Sequence, residues 1–483
     1  MSTLTTRSIW FSLTALLLCS RLQAADGPSA DQLLVNALNA LGGQQSGLEI
    51  TAKGWDACLG QAWSVKEGWA RWELTDYRRT LDYKNGGTKH TALRRPAMDA
   101  GKIGGCGAQP NGGAAPQQSL VDGNSPWADQ LVLWLTPQGF LQLFASTGKQ
   151  AITRDGKGTT VLIPILRDEV TYPLSAHINS SNEIDLIRTR LDDPIFGDMQ
   201  IEVEFGPYKQ FGSVRFPGTW VLKQGGFPTL SLTIENAVAT NDTVINTTPR
   251  RAAAPAPAPA APFTSIGKGI YAIAGAYQSV AVEFEQFSVV IDGLQNDARV
   301  QDLIANVKKA IPNKPIRYVV STHSHNDHAN GLRQFAAEGA TIITHEMNRE
   351  FLRNALNTPR TLRIKPTEPN TVQVKLQTVK DRFVIEDKAG QRVEIYALGP
   401  SPHAADMLIA WLPSISTVVE ADILQPWISP QFGGKNGPHP MLNYLDAELK
   451  KLKLTVKSFV PVHVPPQPPL MQRADLDAAL QAR

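Results

Sequence analysis

The sequence predicts two parts of different class: a mainly antiparallel β part toward the N-terminus and a layered α/β part toward the C-terminus. Three observations carry this. Between positions 131 and 234 several short runs alternate apolar and polar residues, the mark of a half-buried antiparallel sheet. Beyond position 263, short apolar strands alternate with amphipathic helical stretches, the mark of a layered α/β domain. Between them Arg251–Pro262 reads RAAAPAPAPAAP, and alternating Ala-Pro favours an extended, semi-rigid spacer. The expected division is residues 26–248, a linker at 249–262, and residues 263–483. A chain of 483 residues is too long for one ordinary domain.

Ahead of both parts, residues 1–24 read as a secretory leader. Arg7 supplies a positive start, Ile9–Cys19 is an apolar stretch, and Leu22-Gln23-Ala24 fits a small-residue cleavage site. The stretch is too short to span a bilayer, and no other run is long and apolar enough to do so. The expected product is exported, periplasmic or secreted. Leu18 before Cys19 lacks the small side chain a lipid-attachment signal wants, which favours a soluble product. Cys58 and Cys106 then remain, and in an oxidising compartment they are expected to pair. Net charge is +3 from 47 basic and 44 acidic residues, with no basic stripe, which argues against a nucleic-acid partner.

In the N-terminal part, Ala30–Leu38 reads as a helix stopped at Gly42-Gly43. Strand-like runs follow at 131–135, 160–165, 183–187, 199–205 and 230–234. His90 and His177 are isolated and read as ordinary structural residues. The strand order loosely resembles the curved antiparallel sheets of periplasmic lipid-carrier proteins, which implies a ligand-binding role. In the C-terminal part, strands are expected at 269–275, 280–293, 316–320, 341–344, 393–398, 407–412, 416–420 and 458–462. Helices are expected at 297–311, 332–338 and 442–453.

The chemistry concentrates in His323-x-His325-x-Asp327-His328, directly after the apolar strand 316–320. Side chains two apart on an extended segment point the same way, so His323 and His325 can serve one ion. A turn at Asn326 can present Asp327 and His328 to a neighbouring position. Imidazole with carboxylate suits zinc, or else iron or manganese. His403, Asp422 and His463 each follow a further strand, so all can converge on one sheet edge.

These motifs, in this order, resemble those of the metallo-β-lactamase superfamily over about residues 263–463. The resemblance implies an αββα sandwich with a metal centre at one sheet edge. By carry-over, His323, His325 and His403 would hold a first zinc ion, Asp327, His328 and His463 a second, and Asp422 would bridge them. The implied reaction is attack of a metal-bridging hydroxide on a carbonyl-type bond of an ester, thioester, lactone or β-lactam. Asp327 would orient the nucleophile and pass a proton as the catalytic carboxylate. The sequence departs from the family at Val464-Pro465-Pro466, where Gly often follows the last ligand, and at Ala421, where Gly often precedes the bridging Asp.

A small-molecule substrate is expected, selected by Trp427, Phe432, Lys435 and His439 in a Gly- and Pro-rich loop, with Tyr277 at the first hairpin turn covering the site. His345 matches no ligand position and reads as structural. Two other readings stand beside the hydrolase. One is a mononuclear iron oxygenase acting on persulfides. The other is a non-catalytic protein whose N-terminal sheet captures an apolar ligand.

Overall fold

A computed structural model of the chain describes residues 27–96, 115–240, 262–363, 369–424, 440–463 and 469–481. The leader at 1–24, Cys106, the linker up to 261, and Trp427, Phe432, Lys435 and His439 lie outside the described residues. Cys58 is disulfide-bonded, with its partner outside them.

The N-terminal half is built on an antiparallel sheet of eleven strands, running from Ala115–Val121 at one edge to Ala151–Asp155 at the other, with a separate hairpin of Tyr208–Phe211 and Val214–Pro217. The strand Gly47–Ala57 pairs with Phe227–Ala239, which joins the beginning of this half to its end. The strands alternate as the sequence requires: Val170–Asn179 buries every second residue. A helix, Ala30–Ala40, opens the half. The Ser29 hydroxyl accepts from the Gln32 amide at its N-terminus. Gly42 and Gly43, at φ +84° and +94°, turn the chain out at its end, a conformation glycine adopts without a Cβ clash.

The expected strand at 131–135 is instead a helix, Trp127–Trp134, followed by a second helix, Pro137–Ser146. An apolar run of this length has no period that separates a buried strand from a buried helix. Here both helices pack their apolar residues onto the sheet in a single core with the opening helix. Residues 160–165, 183–187, 199–205 and 230–234 lie largely in strands, as expected.

The C-terminal half holds a seven-stranded and a six-stranded sheet. Three buried clusters separate its layers. Helices Asp297–Ala310, Leu332–Ala337 and Arg349–Asn357 pack on the first sheet through Val300, Leu303, Phe335 and Leu352. The two sheets face each other across Val289, Ile291, Val320, Ile395, Leu408 and Val419. Ile409, Trp411 and Val418, on the other face of the second sheet, pack on Pro440–Lys451 and Arg473–Gln481. Adjacent residues such as Leu408 and Ile409 enter different cores because strand side chains alternate.

The halves interlock. Ile195, from the N-terminal half, belongs to the first helix–sheet core of the C-terminal half. The fully buried Arg333 donates to the carbonyls of Pro194 and Ile195 on one side and Ala355 and Leu356 on the other.

Candidate metal centre

Five strands deliver the site. Ser288–Ile291, Ile316–Val320, Arg392–Ala397, Thr417–Glu420 and Ser458–Pro461 are followed, in turn, by Asp292, His323, His403, Asp422 and His463. The first two belong to one sheet and the other three to the second. Buried apolar strands hold these side chains at the seam between the sheets. The strand ends at Val320; the chain then bends over residues 322–325, not extended as the spacing suggested, and tightens into a 3-10 turn at Asn326–His328 before the helix at Leu332.

The structure brings together two groups of side chains able to hold a metal ion: His323, His325, His403 and Asp422, and then Asp327, His328 and Asp422. His323 Nε2 lies 3.0 Å from His325 Nδ1 and 3.3 Å from His403 Nε2. Asp422 Oδ2 lies 3.3, 3.1 and 3.2 Å from Nε2 of His323, His328 and His403. Ligand atoms about 2.0–2.1 Å from a tetrahedral zinc ion stand roughly 3.3 Å apart. The first group is spaced accordingly, and its donor set of three imidazoles and a carboxylate suits zinc. His328 Nε2 is buried and faces the Asp422 and Asp327 carboxylates, at 3.1 and 3.7 Å, with which it forms the second group. The residues therefore fit a metal ion.

Tyr277 sits between Asp327 and His463. Its hydroxyl donates to Asp327 Oδ2 at 2.8 Å and lies 2.5 Å from His463 Nε2. A carboxylate only accepts, so the tyrosine proton faces Asp327 and His463 Nε2 must carry the proton facing the tyrosine oxygen. His463 accordingly stands outside both groups. Its Nδ1 is buried without a partner among the described residues.

The sequence model of the metallo-beta-lactamase superfamily matches residues 273–453. This half carries a metallo-beta-lactamase superfamily domain. No curated protein matches the chain in sequence. Among solved structures it is similar to a metallo-beta-lactamase from Pontibacter korlensis, at 18% identity over 46% of this chain and 99% of that one, with a TM-score of 0.32. It is also similar to the rubredoxin:oxygen oxidoreductase of the anaerobe Desulfovibrio gigas, at 17% identity over 46% of this chain and 60% of that one, TM-score 0.32. A third is the inverting sec-alkylsulfatase Pisa1 from Pseudomonas sp., at 17% identity over 45% of this chain and 40% of that one, TM-score 0.32.

Within the metallo-beta-lactamase domain, His323, His325 and His328 have their far nitrogens held, whereas His403 Nδ1 is buried without a hydrogen-bond partner among the described residues. His325 Nε2 lies 2.9 Å from the Ala62 carbonyl, which can only accept, so Nδ1 offers its lone pair to the first group. His328 Nδ1 lies 2.9 Å from Asp292 Oδ1, which leaves Nε2 aimed at Asp422. The Thr322 hydroxyl donates to Asp292 Oδ2 and can accept from His323 Nδ1 at 3.1 Å. Asp292 thus sets two imidazoles, one directly and one through Thr322. Asp406 Oδ2 holds the Ser324 amide at 2.8 Å, between His323 and His325. His345 serves locally, accepting from the Met347 amide.

The electrostatics follow the packing. Burial, then the charges of neighbouring histidines, lower the pKa of His323 and His325 and favour the neutral, ligating form. Burial opposes charge on His328 as well, but Asp292, Asp422 and Asp327 outweigh it and raise its pKa well above the usual value. Burial likewise works against charge on Asp422, yet His328 and the surrounding imidazole hydrogen bonds hold it well below the carboxylate range.

Sequence reasoning missed Asp292, Asp406, Gln61 and Ala62. Asp292 carried a readable signal, since it ends the apolar strand Ser288–Ile291 much as Asp422 ends Thr417–Glu420. Gln61 and Ala62 carried none.

Proposed function

We propose that the chain is an exported, zinc-dependent hydrolase acting on a carbonyl-type bond of a small molecule, built on an αββα sandwich. The observation that carries the reading is the Asp422 carboxylate, common to a three-histidine group and to a neighbouring Asp327–His328 group. In the proposed centre His323, His325 and His403 would hold a first ion, Asp327 and His328 a second, with Asp422 available to either. Bound zinc would supply Lewis acidity and a water acidified toward neutral pH.

The chain's own groups do the rest. Asp292, Thr322 and the Ala62 carbonyl fix the imidazole orientations. Asp327, a quarter exposed at its side chain, is the carboxylate that would orient the attacking oxygen and carry a proton to the leaving group. The Tyr277 hydroxyl, donating to Asp327 Oδ2, would keep that carboxylate turned to the site. Export is supported by the leader-like residues 1–24 and by the disulfide at Cys58. No helix among the described residues is long and apolar enough to cross a membrane.

One observation favours a second reading. His463 presents a protonated Nε2 to Tyr277 and stands outside the second group. A centre holding one ion, such as a mononuclear iron oxygenase, would tolerate that. Metal analysis beside a panel of β-lactam, lactone, thioester and aryl ester substrates tests both. Two zinc ions per chain with hydrolysis lost in Asp327→Ala is the expected result. One iron per chain and no hydrolysis would replace the hydrolase with the oxygenase.

A further inference from the structure

The loop that follows the strand Gly47–Ala57 crosses from the N-terminal half onto the metal centre. Its base is closed by the Cys58 amide donating to the Ala70 carbonyl at 3.0 Å. From there every residue of the 59–63 segment holds one of the two ligand-bearing loops. The Leu59 carbonyl accepts from Asn326 Nδ2, and the Gly60 carbonyl accepts from the Asn326 amide at 2.9 Å. Gln61 Nε2 donates to Asn326 Oδ1 at 2.7 Å and to Asp327 Oδ1 at 2.8 Å. The Ala62 carbonyl accepts from His325 Nε2 at 2.9 Å. Trp63 accepts from the Ala405 amide at 2.7 Å and donates through Nε1 to the Ser401 carbonyl at 2.8 Å, on either side of His403.

The approach is as close as the backbone permits. A Cβ on Gly60 would stand 2.7 Å from Asn326 Cβ, and its φ of +76° is one that other residues rarely adopt. Ala62 and Ser64 are buried under this contact. The carboxylate of Asp327 is gripped from opposite halves: Gln61 takes Oδ1 and Tyr277 takes Oδ2. With both oxygens engaged, the carboxylate plane is fixed before any ligand arrives.

We propose that the 59–63 segment is a built part of the metal centre, with Gln61 as the positioning residue for Asp327 and the Ala62 carbonyl as the group that keeps His325 Nδ1 free to ligate. The inference rests on the reading of this cluster as a metal centre. It gives the N-terminal half a direct task in the chemistry: groups beyond the ligands orient them and tune their affinity, and losing one typically lowers metal affinity 10–100-fold.

The test uses the full chain and zinc alone, with affinity read by competition against a chelator. Gln61→Met keeps the side-chain length and removes the donor, and Gly60→Ala pushes the segment off Asn326. Both are expected to weaken zinc binding roughly 10–100-fold. Gln61→Met should also lower kcat on a hydrolysed aryl ester with KM little changed, and leave the melting temperature of the metal-free protein as it was. Unaltered zinc affinity in Gln61→Met, with or without a lower melting temperature, would overturn the inference and leave the metal centre standing. Failure of the unsubstituted chain to bind zinc would overturn the metal-centre reading and this inference with it.

Discussion

Asp292 shows how far a single carboxylate reaches. It never enters either ligand group, yet its two oxygens hold His328 Nδ1 and the Thr322 hydroxyl. It is fully buried, and the Gly293 and Thr322 amides donate to it as well. Replacing it with alanine would free both imidazoles to rotate and leave His328 Nδ1 without an acceptor. Zinc affinity of Asp292→Ala is expected to fall about 10–100-fold by chelator competition. An unchanged affinity would show that packing alone orients the histidines. Replacing Asp422 with alanine is the sharper case, because it is the one oxygen donor common to both groups. Asp422→Ala should drop bound zinc, counted by elemental analysis, below that of any single-histidine variant. Equal loss in His325→Ala would argue that the groups do not share it. At this scale the sequence was legible where covalent spacing does the work. His323, His325, Asp327 and His328 lie within six positions, so local geometry brings them together whatever surrounds them. Gln61 contacts Asp327 across 266 positions, and no local pattern encodes a contact of that range.

Among the elements, the strands were easier to read than the buried helices. Alternation in Gly158–Arg167 or Gly197–Phe205 survives in the structure because one face is wet, whereas the alternating strand Val170–Asn179 went unread. Trp127–Trp134 buries Trp127, Gln130, Leu131 and Trp134 at helical spacing, but the continuous apolar run 131–135 read by itself shows no period that separates a helix from a strand. The strand Gly87–Pro96 holds a pH-dependent element of the fold. His90 packs on the Tyr77 ring at 4.7 Å between centroids. Burial, then the charges of Arg79 and Arg94, push its pKa down to about 3. An unfolded histidine titrates near 6.5. Below that value the unfolded chain takes up a proton that the folded chain refuses. Stability contributed by the neutral ring is thus fully present above about pH 6.5 and lost progressively as pH falls toward 3. Urea unfolding at pH 7 and pH 4 should show a smaller loss in His90→Phe than in the parent. Identical losses would mean that other groups govern the acid limb.

Across the whole molecule, the Ala-Pro tract suggested two parts joined by a spacer, and nothing in the sequence announced that they would interlock. The reason is physical: the joining residues are arginines, which read as surface charge until a fold buries them. Arg360 is 3% exposed at its side chain and binds Asp192 of the N-terminal half and Asp297 of the C-terminal half, each at 2.6 Å. Burial works against its charge, but the two carboxylates outweigh it and raise its pKa. Beside it, Asp198 accepts from the amides of Thr361 and Leu362, and Arg333 ties carbonyls of both halves. Breaking a fully buried ion pair typically costs about 3–5 kcal/mol; Asp192 and Asp297 are 30% and 33% exposed, so water screens them and the cost here is smaller. Arg360→Met would leave two carboxylates facing each other across the seam. Calorimetry is expected to show the unsubstituted chain melting in one transition and Arg360→Met in two, the lower from whichever half loses its neighbour first. Because the 59–63 segment reaches the metal centre only while the halves stay docked, zinc affinity should fall in Arg360→Met as well. Gln61→Met, by contrast, should weaken zinc binding without splitting the melt. One transition at the parent temperature in Arg360→Met would show that the halves are held by the core around Ile195 and not by the charges at the seam.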